Sequence, residues 1–144
     1  MVLSLGFTAC TSQAPTRVMT PLSPLPTLNQ NVIQKGREVY LANCASCHGA
    51  EAEGAPNWPT PCPDGLTQAP PHDDSGHTWH HTDRVLYETI YSGMGDPLKP
   101  GSPLRMPAFG NKLSDQEIRT AIEYFKSLWS DEHRRWQVEE MQKN

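Results

Sequence analysis

Apolar positions recur at helical spacing in three stretches of the chain, and no segment shows the period-two alternation of a strand. Val32, Ile33, Gly36, Val39 and Tyr40 form the first stripe, which predicts a helix from Asn31 that ends just before Cys44. Gly36 lies inside that helix, where glycine costs about 1 kcal/mol against alanine, so it points to close packing against another helix. Thr82 is placed to cap a second helix that carries Val85, Leu86, Thr89 and Ile90 and is stopped by Gly93. Ser114 and Glu117 have the S-x-x-E spacing of a capping box. After them Ile118, Ala121, Ile122, Phe125, Leu128 and Trp129 repeat at three and four residues, which predicts one buried helix face. Ser130 restarts a short terminal helix through Trp136. The pattern is all-α, with roughly three to five helices joined by long Pro/Gly loops.

A chain of 144 residues implies one domain with room for tails. Its hydrophobic content of 36%, with 8% aromatics, is thin for a large core. Pro 14 and Gly 10 favour long ordered loops over sheet. The formal net charge of -4 and the lack of a basic patch argue against nucleic acid as a partner. Between Arg37 and Arg84 there is no Lys or Arg, while Glu38, Glu51, Glu53, Asp64, Asp73, Asp74 and Asp83 all fall there. Such a stretch is either a docking face for a basic partner or a solvated face with no docking role.

Cys44-Ala45-Ser46-Cys47-His48 changes the picture most. It is the C-x-x-C-H spacing that attaches a c-type haem. Two thiols three positions apart on one turn can each bond a vinyl group of the same porphyrin. The adjacent His48 is then carried under the iron as its proximal ligand. A covalent haem c on Cys44 and Cys47 would supply much of the missing apolar mass. Met94 and Met106 are the candidates for the opposite face of the iron.

Met1 to Phe7 is apolar, and Thr8-Ala9-Cys10 follows. This resembles the lipobox of bacterial lipoprotein signal peptides, in which the cysteine is lipidated. Phe7 stands where leucine is usual, no basic region precedes the apolar run, and the run is too short to span a membrane. The true start then lies upstream; the alternative is an N-terminal tail with an incidental Cys10. Residues 11–29 contain Pro15, Pro21, Pro24 and Pro26 and read as an extended tether. At about 3.1 Å per residue it would reach roughly 50–60 Å. The chain thus divides into 1–10 (signal remnant), 11–29 (tether) and 30–144 (folded domain). Cys62, flanked by Pro61 and Pro63, is left as an odd thiol and reads as buried and inert in a loop.

These residues together resemble the class I cytochromes c, the small monohaem family, over roughly residues 32–136. Gly36 and Tyr40 stand eight and four residues before Cys44, as in that family, and Tyr124 matches the aromatic of its C-terminal helix. Met106-Pro107-Ala108-Phe109 matches the family's distal-ligand motif, which implies Met106 as the second iron ligand. Met94 then reads as an ordinary loop or core methionine. Gly54-Ala55-Pro56-Asn57-Trp58 resembles the family's G-x-P-N segment, which implies that the Pro56 carbonyl accepts a hydrogen bond from His48 Nδ1.

The run from His72 through His77, Trp79, His80 and His81 leaves two readings open. Similar G-H-x-W-H-H runs occur in a subset of small bacterial members of the family. One reading is a second metal site built on His77 and His81 with His72 or His80, a donor set suited to copper or zinc. The other is structural: Trp79 packs on the haem edge, and its indole N–H or an imidazole serves a propionate.

Both axial positions filled leave no open site for substrate, so the resemblance implies an electron carrier and not an enzyme. Attachment of haem to C-x-x-C-H takes place outside the bacterial inner membrane, so a periplasmic, lipid-anchored monomer serving redox protein partners is expected. The alternatives are a cytochrome subunit of a larger oxidase or dehydrogenase, a copper-binding protein using the histidine cluster, and a zinc module using Cys44, Cys47, Cys62 and a histidine.

Overall fold

The computed structural model describes residues 24–63, 68–95 and 106–142. Cys10 and most of the expected tether lie outside them. The first helix, α1 (Gln30–Asn43), starts where the Asn29 side chain accepts from the backbone N–H groups of Asn31 and Val32, at 2.9 and 3.3 Å. A single turn, α2 (Ala45–His48), follows directly and carries the second thiol and the histidine of the C-x-x-C-H motif. A 3-10 turn (Thr78–His80) precedes α3 (Asp83–Ser92), which Thr82 caps and which ends at Gly93. Helix α4 (Asp115–Ser127) has the expected capping box, with Ser114 and Glu117 exchanging both bonds. The last helix, α5 (Asp131–Gln142), runs past Trp136 and is longer than the sequence pattern suggested. Among the described residues there is no strand, only an isolated antiparallel bridge between Met94 and Met106.

The core forms where α1 crosses α4. Tyr40 is fully buried and meets Tyr124 with ring centroids 5.3 Å apart and Phe125 edge-on at 6.0 Å. Leu86 and Ile90 of α3, Phe109, Leu113 and the α4 stripe Ile118, Ile122 and Phe125 complete one cluster. The Tyr40 hydroxyl donates to the Gly49 carbonyl at 2.6 Å, which ties the crossing to the turn after His48.

Helix α5 closes over the 3-10 turn. The buried Gln137 donates from Nε2 to the His81 carbonyl at 3.0 Å and to the Asp83 carboxylate at 3.2 Å. At the start of α5, Asp74 accepts from the Ser130 backbone N–H at 2.8 Å and meets His133 Nδ1 at 2.7 Å. Burial pushes the Asp74 carboxyl up, but the Ser130 N–H and then the His133 bond outweigh it and hold it below its ordinary value of 3.8. A carboxyl lowered by folding contributes stability that is complete above its unfolded value and is lost as pH falls toward the folded one. Protection of the Ser130 amide from hydrogen exchange should therefore be complete well above the ordinary carboxyl value of 3.8 and be lost as pH falls below it. Asp74→Ala, which removes the acceptor, should show low protection at every pH. Equal protection throughout would mean the latch carries no part of the docking.

Candidate functional site

Cys44, Cys47 and His48 are brought together by local backbone alone. The Cys44 N–H ends α1 by donating to Tyr40 at 2.8 Å, and its carbonyl accepts from Cys47 and His48 at 3.1 and 3.0 Å. Cys44 is partly buried, Cys47 exposed and His48 buried. Burial, with the Cys47 charge adding and Lys112 opposing, pushes the Cys44 thiol up to about 11 and keeps it protonated. His48 Nδ1 lies 2.8 Å from the Pro70 carbonyl oxygen. A carbonyl only accepts, so Nδ1 donates and carries the proton, and Nε2 keeps the lone pair a metal ligand needs. Burial lowers the His48 pKa and the Pro70 bond partly offsets this, so the ring is held neutral.

The acceptor is Pro70, not Pro56 as the G-x-P-N match implied. Pro56 sits in an exposed turn in which Trp58 N–H donates to Ala55 at 2.9 Å. The chain leaves the site there and returns where Ala55 N–H meets the Ala69 carbonyl at 2.9 Å, and this return lays Pro70 against His48. Gly54, at φ +82°, makes the approach possible, since a Cβ there would stand 2.7 Å from Pro71 N. The motif-like turn is thus looped out, and a second proline-rich segment takes its place. Pro70-Pro71 was the available signal, because neither residue has an N–H for regular structure.

Sequence reasoning also missed the role of His72. Its ring stacks on His48 with centroids 4.3 Å apart and planes 26° from parallel, and on Phe125 at 4.2 Å and 20°. Burial, followed by the charges of His48 and His77, holds His72 well below the ordinary imidazole value, so it is neutral.

Trp79 supplies the test of whether these residues fit a haem. It stacks flat on His133 (3.6 Å, 7°), lies against His80 at 3.8 Å and meets Trp136 edge-on at 5.5 Å. Its indole Nε1 is buried without a hydrogen-bond partner among the described residues. A buried donor left unpaired costs about 1–3 kcal/mol, and a haem propionate is the acceptor that would satisfy it. The two thiols, the oriented imidazole and this donor fit a covalent haem.

The two methionines face each other across the bridge, Met94 N–H to Met106 O at 2.9 Å and Met106 N–H to Met94 O at 3.1 Å. Met106 packs partly buried against the core cluster, whereas Met94 is 50% exposed.

The histidines do not gather into a metal site. Among the described residues no group of three or more His, Cys, Asp or Glu side chains could hold a metal ion. His77 and His81 lie 5.5 Å apart between rings, while His72 lies in the stack and His80 lies against Trp79 and Trp136. Cys62, partly buried in its loop, likewise forms no zinc site with Cys44 and Cys47.

A family model described as Cytochrome c matches residues 33–129. The chain is 29% identical over 106 residues to the Cbb3-type cytochrome c oxidase subunit FixP of Sinorhizobium medicae (strain WSM419), covering 72% of this chain and 32% of that protein. It is 32% identical over 99 residues to the Cbb3-type cytochrome c oxidase subunit CcoP of Azospirillum brasilense, covering 65% and 30%. The chain thus spans about a third of the length of these curated relatives. Among solved structures it is similar to cytochrome cL of the methylotroph Methylophaga aminisulfidivorans MPT, with a TM-score of 0.48 and 23% identity, covering 81% of this chain and 67% of that one.

Proposed function

The chain belongs to the cytochrome c family and carries one haem c, bound covalently through Cys44 and Cys47, and on that premise we propose that it is a one-electron carrier and not an enzyme. The observation that carries the reading is the C-x-x-C-H turn with His48 Nδ1 locked on the Pro70 carbonyl. Haem supplies the one-electron couple. The chain's own residues do the rest. Cys44 and Cys47 would hold the porphyrin, and His48 would offer Nε2 to the iron. The Pro70 carbonyl sets the His48 tautomer and would raise its basicity as a ligand. Met106 would supply the second iron ligand, a soft thioether that would favour the ferrous state and raise the potential. Trp79 would donate to a propionate.

In this reading the protein works outside the cytoplasm, where C-x-x-C-H haem is attached, and passes electrons between redox proteins as a monomer. Cys10 bears a lipid and residues 11–29 are the tether. Among the described residues no helix is long and apolar enough to cross a membrane. The acidic stretch between Arg37 and Arg84 offers a face to a basic partner. A second reading, favoured by the two oxidase-subunit relatives, makes the chain a cytochrome subunit of a larger terminal oxidase.

The test is expression of the chain in a host with cytochrome c maturation machinery. A sharp reduced α-band, pigment retained through denaturing electrophoresis and a weak near-infrared Met-to-iron band are expected. Colourless protein beside a haem-loaded control cytochrome would sink the reading. Co-purification with oxidase subunits would favour the second reading over a free carrier.

A further inference from the structure

We propose that His72 is a positioning residue for the axial ligand: its imidazole, stacked on His48, holds the plane of the ligand ring. The inference rests on the reading of His48 as an iron ligand. A hydrogen bond such as His48 to Pro70 tolerates tens of degrees of misalignment, and the outer torsion of a histidine is intrinsically broad. That bond alone holds Nδ1 on the carbonyl but leaves the plane of the His48 ring to swing about it. A flat ring at 4.3 Å, itself backed by Phe125 at 4.2 Å, removes that freedom.

His72 is suited to this because every part of it is anchored. Its backbone N–H donates to Ala52 O at 2.8 Å, and its carbonyl accepts from Trp129 Nε1 at 2.8 Å. Its ring Nδ1 lies 2.9 Å from Thr78 Oγ1, and that hydroxyl is buried with the Pro71 carbonyl 3.3 Å away. The hydroxyl has one proton, which goes to the carbonyl. It therefore accepts from His72, which sets the Nδ1–H tautomer and prevents the ring from flipping. The carbonyls of residues 70, 71 and 72 thus serve His48, Thr78 and Trp129 in turn, so one short strap joins the ligand, the 3-10 turn and the end of α4. An aliphatic side chain could fill the same space but would present no plane and no anchored edge.

The test uses the full chain matured with haem and reads the haem-methyl proton resonances and g-values of the oxidised protein, which depend on the axial ring plane. His72→Leu should shift the methyl pattern and the g-values, while His72→Phe, which keeps the stack, should restore them toward wild type. Thr78→Val removes the anchor and keeps the bulk, and should shift them in the same direction by less. A haem-loaded His72→Leu protein with wild-type spectra overturns the proposal, as does an unshifted Thr78→Val protein if His72→Leu fails to accumulate. Wild-type chain that binds no haem overturns instead the reading on which the proposal stands.

Discussion

Met106→Ala should lower the reduction potential by an amount on the order of 0.2 V and abolish the near-infrared Met-to-iron band, while the covalent pigment remains. A thioether is a soft donor that favours ferrous iron; the water or hydroxide that would replace it is hard and favours ferric. Axial ligation moves haem potentials over about 0.8 V, so loss of one ligand is a large fraction of that range. The vacated position should also admit imidazole or carbon monoxide. The motif match favours Met106 over Met94, and the fold around the bridge agrees with it. Phe109 and Gly110 donate to Ile90 and Tyr91 at 3.0 Å each, so the segment after Met106 is fastened along the end of α3. Met106 packs against the core in this arrangement, and Met94 is half exposed. Pro107 stiffens the backbone just after Met106. Met94→Ala should leave the near-infrared band in place. The reverse pair of results would move the ligand to Met94.

Gly36→Ala should destabilise the protein by about 2–4 kcal/mol and lower the melting temperature by roughly 10 °C. A Cβ on Gly36 would stand 2.0 Å from the Thr120 carbonyl oxygen, 2.7 Å from its carbon and 2.9 Å from Tyr124 Cβ. Two of these atoms are α4 backbone, so no rotamer change relieves the clash and the helices must move apart. That separation loosens the Tyr40–Tyr124 and Tyr40–Phe125 contacts of the core. Alanine has about 1 kcal/mol more helix propensity than glycine, which offsets only part of the loss. Lys35→Ala, at an exposed position of the same helix, is the control and should change the melting temperature little. An unchanged melting temperature for Gly36→Ala would show that the crossing has slack and that this glycine is not required by packing.

Much of the fold was legible because its signals are local. The Ser114–Glu117 box, the Thr82 cap and the three apolar stripes each lie within a few residues, and each helix formed where they placed it. The C-x-x-C-H turn is also contiguous, so its chemistry could be read without a fold. The Pro56 expectation failed for the opposite reason. A match of a few residues could not reveal that the chain loops out after Ala55 and returns at Ala69. The place of His72 against His48 was hidden in the same way, since four histidines in one run look alike until their neighbours are known.

The helices, the all-α class and the thiol pair with its histidine follow from periodicity, caps and covalent chemistry, which act over short spans of chain. Which carbonyl holds His48, the second imidazole on it, the separation of the histidines and the methionine that packs inward came from the folded arrangement. Those outcomes depend on segments far apart in sequence meeting at hydrogen-bond or van der Waals distance, and no local pattern encodes that meeting.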